Sequence, residues 1–135
     1  MKFTSWNIRG LGSKRKQRLL SIRMKQAAPY VIFIQETKCS IHKIRDIHSK
    51  WLNRFEFLQV KAENTAGGIH TLWNPQNFFL IDAETSRDYL SVVIQPVGDK
   101  ETYLVMNVYV PQRMDEKLRL LNSLENLRDR HAGLP

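Results

Sequence analysis

Polar side chains fall where three apolar runs stop. Asn7 ends the run opened by Phe3, Glu36 follows Tyr30-Val31-Ile32-Phe33-Ile34, and Asn107 and Tyr109 sit near the end of a run opened by Thr102. An amide, a carboxylate and a phenol make a coherent set for chemistry at a phosphate. Mg²⁺ keeps several waters and takes few protein oxygens, so a single carboxylate such as Glu36 suits it. The Asn7 amide could hold a metal-bound water or a phosphate oxygen. The Tyr109 hydroxyl could bond a phosphate oxygen whose charge grows in the transition state. The same residues admit a plainer reading, in which Asn7 terminates a strand, Glu36 is a surface turn residue and Tyr109 is an amphipathic core residue.

For the first reading, the ends of several strands must meet on one edge of a sheet, where the backbone holds side chains rigidly. The pattern allows this. Lys2–Ile8 reads as a strand, Arg9-Gly10-Leu11-Gly12 as a turn, and Ser13 as the cap of a helix to about Ala28 that Pro29 closes. Leu20, Met24 and Ala27 recur at helical spacing with Leu19 and Ile22 beside them. Tyr30–Ile34, rich in β-branched residues, predicts a strand covered on both faces. Ile41–Leu52 predicts a second helix through Ile44, Ile47 and Trp51, and Phe55–Val60 a short strand, with Glu63–Gly68 a loop. Ile69–Trp73, Phe78–Ala83, Tyr89–Gln95 and Thr102–Val110 then read as strands whose short breaks favour antiparallel hairpins. Met114–His131 predicts a closing helix, with Leu120, Leu124 and Leu127 on one face and Leu118 and Leu121 adjoining. Early β-α-β order followed by a strand series argues for α/β or α+β architecture.

Composition narrows the class. The chain has 135 residues, 42% hydrophobic and 25% charged, enough for one domain with a core. No apolar run approaches the ~18 residues of a membrane span, and Met1–Trp6 lacks a secretory apolar stretch. Cys39 is the only cysteine, which excludes a disulfide framework and a cysteine-based zinc site. An intracellular setting is therefore expected. The net charge of +8 is uneven: among residues 1–54 only Glu36 and Asp46 are acidic, against 13 Lys and Arg. Arg9, Lys14, Arg15, Lys16 and Arg18 cluster, a patch that would attract a polyanion and release its counterions. A solvated basic helix face accounts for the same pattern.

Four short motifs add a resemblance. Ser5-Trp6-Asn7-Ile8-Arg9-Gly10-Leu11-Gly12, then Pro29–Lys38 with its Gln35-Glu36-Thr37 core, then Ala66-Gly67-Gly68-Ile69-His70-Thr71-Leu72-Trp73, then Asn107-Val108-Tyr109-Val110-Pro111 stand in order along the chain. Together they resemble the endonuclease domains of plant non-LTR retrotransposons, members of the deoxyribonuclease-I-like endonuclease/exonuclease/phosphatase superfamily. The resemblance implies a four-layer α/β sandwich and metal-assisted hydrolysis of DNA phosphodiesters with Mg²⁺ or Mn²⁺. It assigns Asn7 to the active site, Glu36 to the metal and Tyr109 to the scissile phosphate, and allows a nuclear location. That family's Gly-Asp-x-Asn and Ser-Asp-His motifs do not occur in the sequence. The expectation is therefore a partial domain over 1–135, truncated and inactive alone. A non-catalytic nucleic-acid-binding module or a decayed retrotransposon remnant is the alternative. His42, His48, His70 and His131 lie in no comparable motif, and packing or exposure is expected for them.

Overall fold

In the computed structural model, which describes residues 2–28, 30–63 and 67–135, the first two strands run parallel. β1 (Phe3–Asn7) and β2 (Val31–Gln35) end together, with Asn7 opposite Gln35. The helix between them, α1 (Lys14–Ala27), is capped by Ser13, whose hydroxyl accepts from the Lys16 amide at 3.2 Å. A second helix, α2 (Ile41–Trp51), is capped in the same way by Ser40. β3 (Glu56–Val60) and β4 (Ile69–Trp73) complete a sheet ordered β1-β2-β4-β3, in which β4 is antiparallel to both neighbours. A second sheet is the antiparallel meander β5 (Phe78–Thr85), β6 (Tyr89–Pro96) and β7 (Tyr103–Val108). The last helix is α3 (Met114–Arg130).

Side-chain alternation along the strands builds the layers. Successive residues of a strand point to opposite faces, and in β2 both sets are largely apolar. Ile32 and Ile34 pack with Leu20, Met24, Ile44 and Ile47 beneath the first two helices. Val31 faces the other way and joins Ile69, Trp73, Phe78, Leu90, Val92 and Ile94 between the sheets. On the far side of the second sheet, Leu120 and Leu127 of α3 cover Tyr89, flanked by Leu104 and Val108. The result is four layers, helices, sheet, sheet and helix, as expected for an α/β sandwich.

The structure departs from expectation where tertiary contacts decide. The strand series from Ile69 is not one meander: it divides after Trp73, so β4 and β5 belong to different sheets. β2 is covered fully only on its helix side. β7 lies over β2 and β4, and β6 over β3 and β4. Phe3 of β1 therefore stacks on Phe33 at 6.0 Å yet stays 44% exposed. Leu19 and Ile22, beside the core stripe in sequence, are 41% and 42% exposed, while polar Gln17 and Ser21 are buried in their place. Leu118 and Leu121 likewise point to solvent. β7 stops at Val108, so Tyr109 lies just beyond its strand. Pro29, expected to close α1, and Ala66 of the glycine motif lie outside the described residues.

Candidate active site

The parallel pairing of β1 and β2 brings their carboxyl ends side by side, the place where open α/β sheets collect ligands. There the Asn7 side-chain amide donates to Glu36 Oε1 at 3.0 Å, and Asn7 Oδ1 accepts from the Arg9 backbone N–H at 3.2 Å. The amide is thus held from both ends, with its N–H₂ group turned to the carboxylate.

The backbone around this pair is strained. Arg9, Glu36 and Lys38 have φ of 50°, 55° and 53°, the left-handed region that L residues with side chains avoid. Such conformations cost on the order of 1–3 kcal/mol each and persist only where surroundings enforce them. The enforcement is visible as three stitched segments. Ile8 N–H donates to Gln35 O, Gly10 N–H to Glu36 O at 2.7 Å, and Leu11 N–H to Thr37 O at 2.8 Å. From the other side, Thr37 N–H donates to Gly68 O and Lys38 N–H to Gly67 O at 2.9 Å. Gly68 must be glycine: its φ is +92°, and a Cβ there would stand 2.2 Å from Thr37 Oγ1.

Lys16 serves the same frame. Its ammonium donates to Ile8 O at 3.0 Å and Arg9 O at 2.9 Å, so its charge holds the β1–α1 turn. Arg9, Lys14, Arg15 and Arg18 have exposed side chains. Lys38 Nζ lies 3.9 Å from Glu36 Oε2, a long contact of little stabilising value for side chains with this much exposure.

Tyr109 does not touch Asn7 or Glu36. Its backbone N–H donates to Asp88 O at 2.8 Å, and its ring packs at the margin of the inter-sheet core. It lines a cleft of about 220 Å³ with Gly67, Gly68, Lys61, Arg87 and Asp88. Glu36 and Asn7 are not among the residues that line this cleft. Burial pushes the Asp88 carboxyl above its usual range, with Arg87 opposing and Glu116 and Glu63 adding to the rise.

Two motif residues prove to be positioning groups rather than groups at the site. Asn107 is buried between the sheets. Its Nδ2 donates to Thr71 Oγ1 at 3.0 Å and His70 O at 3.2 Å, and its Oδ1 accepts from Gln35 Nε2 at 2.6 Å. One side chain thus ties β7 to the strand end that delivers Glu36. Thr37, 2% exposed, is the other. His70 faces the helix side, where its ring meets Phe57 edge-on at 5.0 Å; it is a packing residue, as expected. Burial, with a smaller contribution from His48, drives its pKa down to about 3.

A carboxylate on a rigid turn with an oriented amide beside it is a donor type that suits a hard divalent cation. Among the described residues, no group of three His, Cys, Asp or Glu that could hold a metal gathers at Glu36 or at any other place, so Glu36 is a lone carboxylate. Residues 4–134 match the model of the Endonuclease/Exonuclease/phosphatase family.

The chain belongs to that family.

The fold agrees. A functionally unknown conserved protein from Enterococcus faecalis superposes with a TM-score of 0.76 at 16% identity, over 99% of this chain and 63% of that one. The AP endonuclease LMAP of Leishmania major gives 0.69 at 17% identity, over 95% of this chain and 46% of that one. TDP2 of D. rerio, solved with a single-strand DNA product, gives 0.68 at 15%, over 98% and 55% respectively. The chain thus spans about half to two thirds of the length of these structures. No curated protein matches it by sequence. Among the described residues, no helix is long and apolar enough to cross a membrane.

Proposed function

We propose that this chain supplies the metal-holding part of a Mg²⁺-dependent phosphodiesterase site (Mn²⁺ serving as well) that acts on DNA. The observation that carries the reading is the Asn7–Glu36 contact at 3.0 Å between two adjacent parallel strand ends, on backbone held in the left-handed region. Glu36 would hold the cation, with Asn7 orienting its carboxylate. When bound, it supplies Lewis-acid polarisation of a phosphoryl oxygen. Asn7 keeps the carboxylate turned inward, and the Tyr109 hydroxyl is the phenol available to donate to a phosphate oxygen. Arg9, exposed two residues beyond Asn7, and Lys14, Arg15 and Arg18 add attraction for a polyanion.

The sequence contains neither Gly-Asp-x-Asn nor Ser-Asp-His, and the described residues gather no base beside Glu36. Groups that orient water and stabilise the phosphate act as a unit, so removing them leaves a rate near background. The proposal is therefore a partial domain that binds the cation without turning over DNA by itself. The test is Mn²⁺ binding followed by electron paramagnetic resonance, with plasmid nicking in Mg²⁺ in parallel. Wild type should bind one ion, Glu36→Gln should lose it, and nicking should stay at background in both. Unchanged binding in Glu36→Gln would sink the site assignment, while nicking abolished by that substitution would overturn the claim of inactivity.

A further inference from the structure

α1 carries two stripes. Gln17, Leu20, Ser21 and Met24 face the sheet. Arg15, Arg18, Leu19 and Ile22, at steps of three, one and three, form a second stripe along the outside of the helix. Leu19 and Ile22 on this stripe are 41% and 42% exposed. Trp51 ends α2 across from them, its indole N–H donating to Gln17 Oε1 at 3.3 Å, which fixes the ring. These residues, with Lys14 and Lys50, line an open groove of about 560 Å³ between the two helices.

The groove has an apolar floor of Leu19, Ile22 and Trp51 and a rim of Lys14, Arg15, Arg18 and Lys50, with no acidic side chain among its lining residues. Among the described residues, none of these four cations has a carboxylate within 4.0 Å. By contrast, Arg87, Arg113, Arg119, Arg128 and Arg130 are all ion-paired. A surface with exposed aliphatic side chains and an uncompensated cationic rim is complementary to something both apolar and acidic.

We propose that this groove docks an acidic amphipathic helix of another protein. Bulky aliphatic side chains of that helix, at helical spacing, would cover Leu19, Ile22 and Trp51, while Asp and Glu on its flanks meet the four cations. The stripe from Arg15 to Ile22 rises about 10 Å, room for roughly two turns of a partner. A nucleic acid fits less well. Its phosphates would engage the rim but leave the exposed aliphatic side chains of Leu19 and Ile22 unmatched.

The test uses the whole chain and a fluorescein-labelled helical peptide of about three turns, with leucines at i, i+3 and i+7 and glutamates between them. Its controls are a scrambled peptide of equal composition, a short DNA duplex, and phosphatidylcholine vesicles containing phosphatidylserine. Anisotropy at about 150 mM salt, where exposed charge alone is screened beyond ~8 Å, should show the amphipathic peptide binding at least tenfold more tightly than the scramble. Leu19→Ser and Ile22→Ser, each checked for folding by circular dichroism, should each weaken it about tenfold. Lys14→Gln and Lys50→Gln should weaken it less and flatten its salt dependence. Glu36→Gln should leave it unchanged, which separates this surface from the proposed cation site. Equal binding of the scramble, or tighter binding of duplex or vesicles through the same residues, overturns the proposal. So does the absence of peptide binding below roughly 1 mM.

Discussion

Gly67 and Gly68 offer a controlled experiment on how the site is held. Both have positive φ, +72° and +92°, so alanine at either position meets the left-handed backbone penalty of about 1–2 kcal/mol. Both substitutions also remove similar conformational freedom from the unfolded chain. They differ in what the new methyl group meets. At Gly67 nothing among the described residues lies within 4 Å, whereas at Gly68 the Cβ would stand 2.2 Å from Thr37 Oγ1 and 3.3 Å from the Lys38 nitrogen. Thr37 is 2% exposed and its backbone donates to Gly68 O at 3.2 Å, so it has little room to retreat. Overpacking of this kind costs roughly 1–3 kcal/mol more. Gly67→Ala should therefore lose about 1–2 kcal/mol and Gly68→Ala about 2–5. Urea unfolding followed by tryptophan fluorescence would read both, since Trp73 is buried in the core. Thr37→Ala introduced into Gly68→Ala should recover part of the loss, giving a coupling of about 1–2 kcal/mol. Because Thr37 adjoins Glu36, Gly68→Ala should also weaken Mn²⁺ binding while Gly67→Ala leaves it nearly intact. Equal destabilisation by the two substitutions would refute the close approach, and with it the account of how Glu36 is fixed.

Other expectations follow from single contacts. Asn107→Leu leaves the Thr71 hydroxyl, His70 carbonyl and Gln35 amide without their partner, so unfolding free energy should fall by about 2–4 kcal/mol in the same urea assay. A loss within 0.5 kcal/mol would show that the bridge between the sheets is dispensable. His70 is held neutral down to about pH 3 against an ordinary 6.5. Between those values the unfolded chain binds a proton that the folded chain does not, so stability falls as pH drops through that window, by about 1.4 kcal/mol per unit at most. His70→Leu should remove that component, seen as a shallower pH dependence of the unfolding midpoint below pH 6.5; matching slopes would contradict it. Lys16→Met should lose about 1–3 kcal/mol through its two carbonyl partners, whereas Lys14→Met at an exposed position should change stability by under 0.5 kcal/mol.

The sequence by itself determined the elements and the strand ends. Local rules governed those features: serine caps, glycine turns, β-branched runs and helical spacing of leucine and isoleucine name each element within a residue or two. The positions of Asn7 and Glu36 at the close of apolar runs are likewise a local fact. Gly68 could be singled out only as part of a motif, because the need for it arises from Thr37, thirty-one residues away.

Tertiary structure decided the rest, because burial and hydrogen bonding are settled between segments. Leu19 and Ile22 look like core in the helix pattern, yet α1 is rotated so that Gln17 and Ser21 face inward, where Gln17 meets Trp51 and the Leu11 carbonyl. Lys16 looks like one more basic surface residue, but two carbonyls claim its ammonium. Asn107 looks like a site residue, but its amide is consumed in joining the sheets. The left-handed backbone at Glu36 is invisible in the sequence, since nothing about a glutamate calls for it. It is imposed by hydrogen bonds from the turn after β1 and from the glycine pair before β4, and these exist only once the sheet has formed.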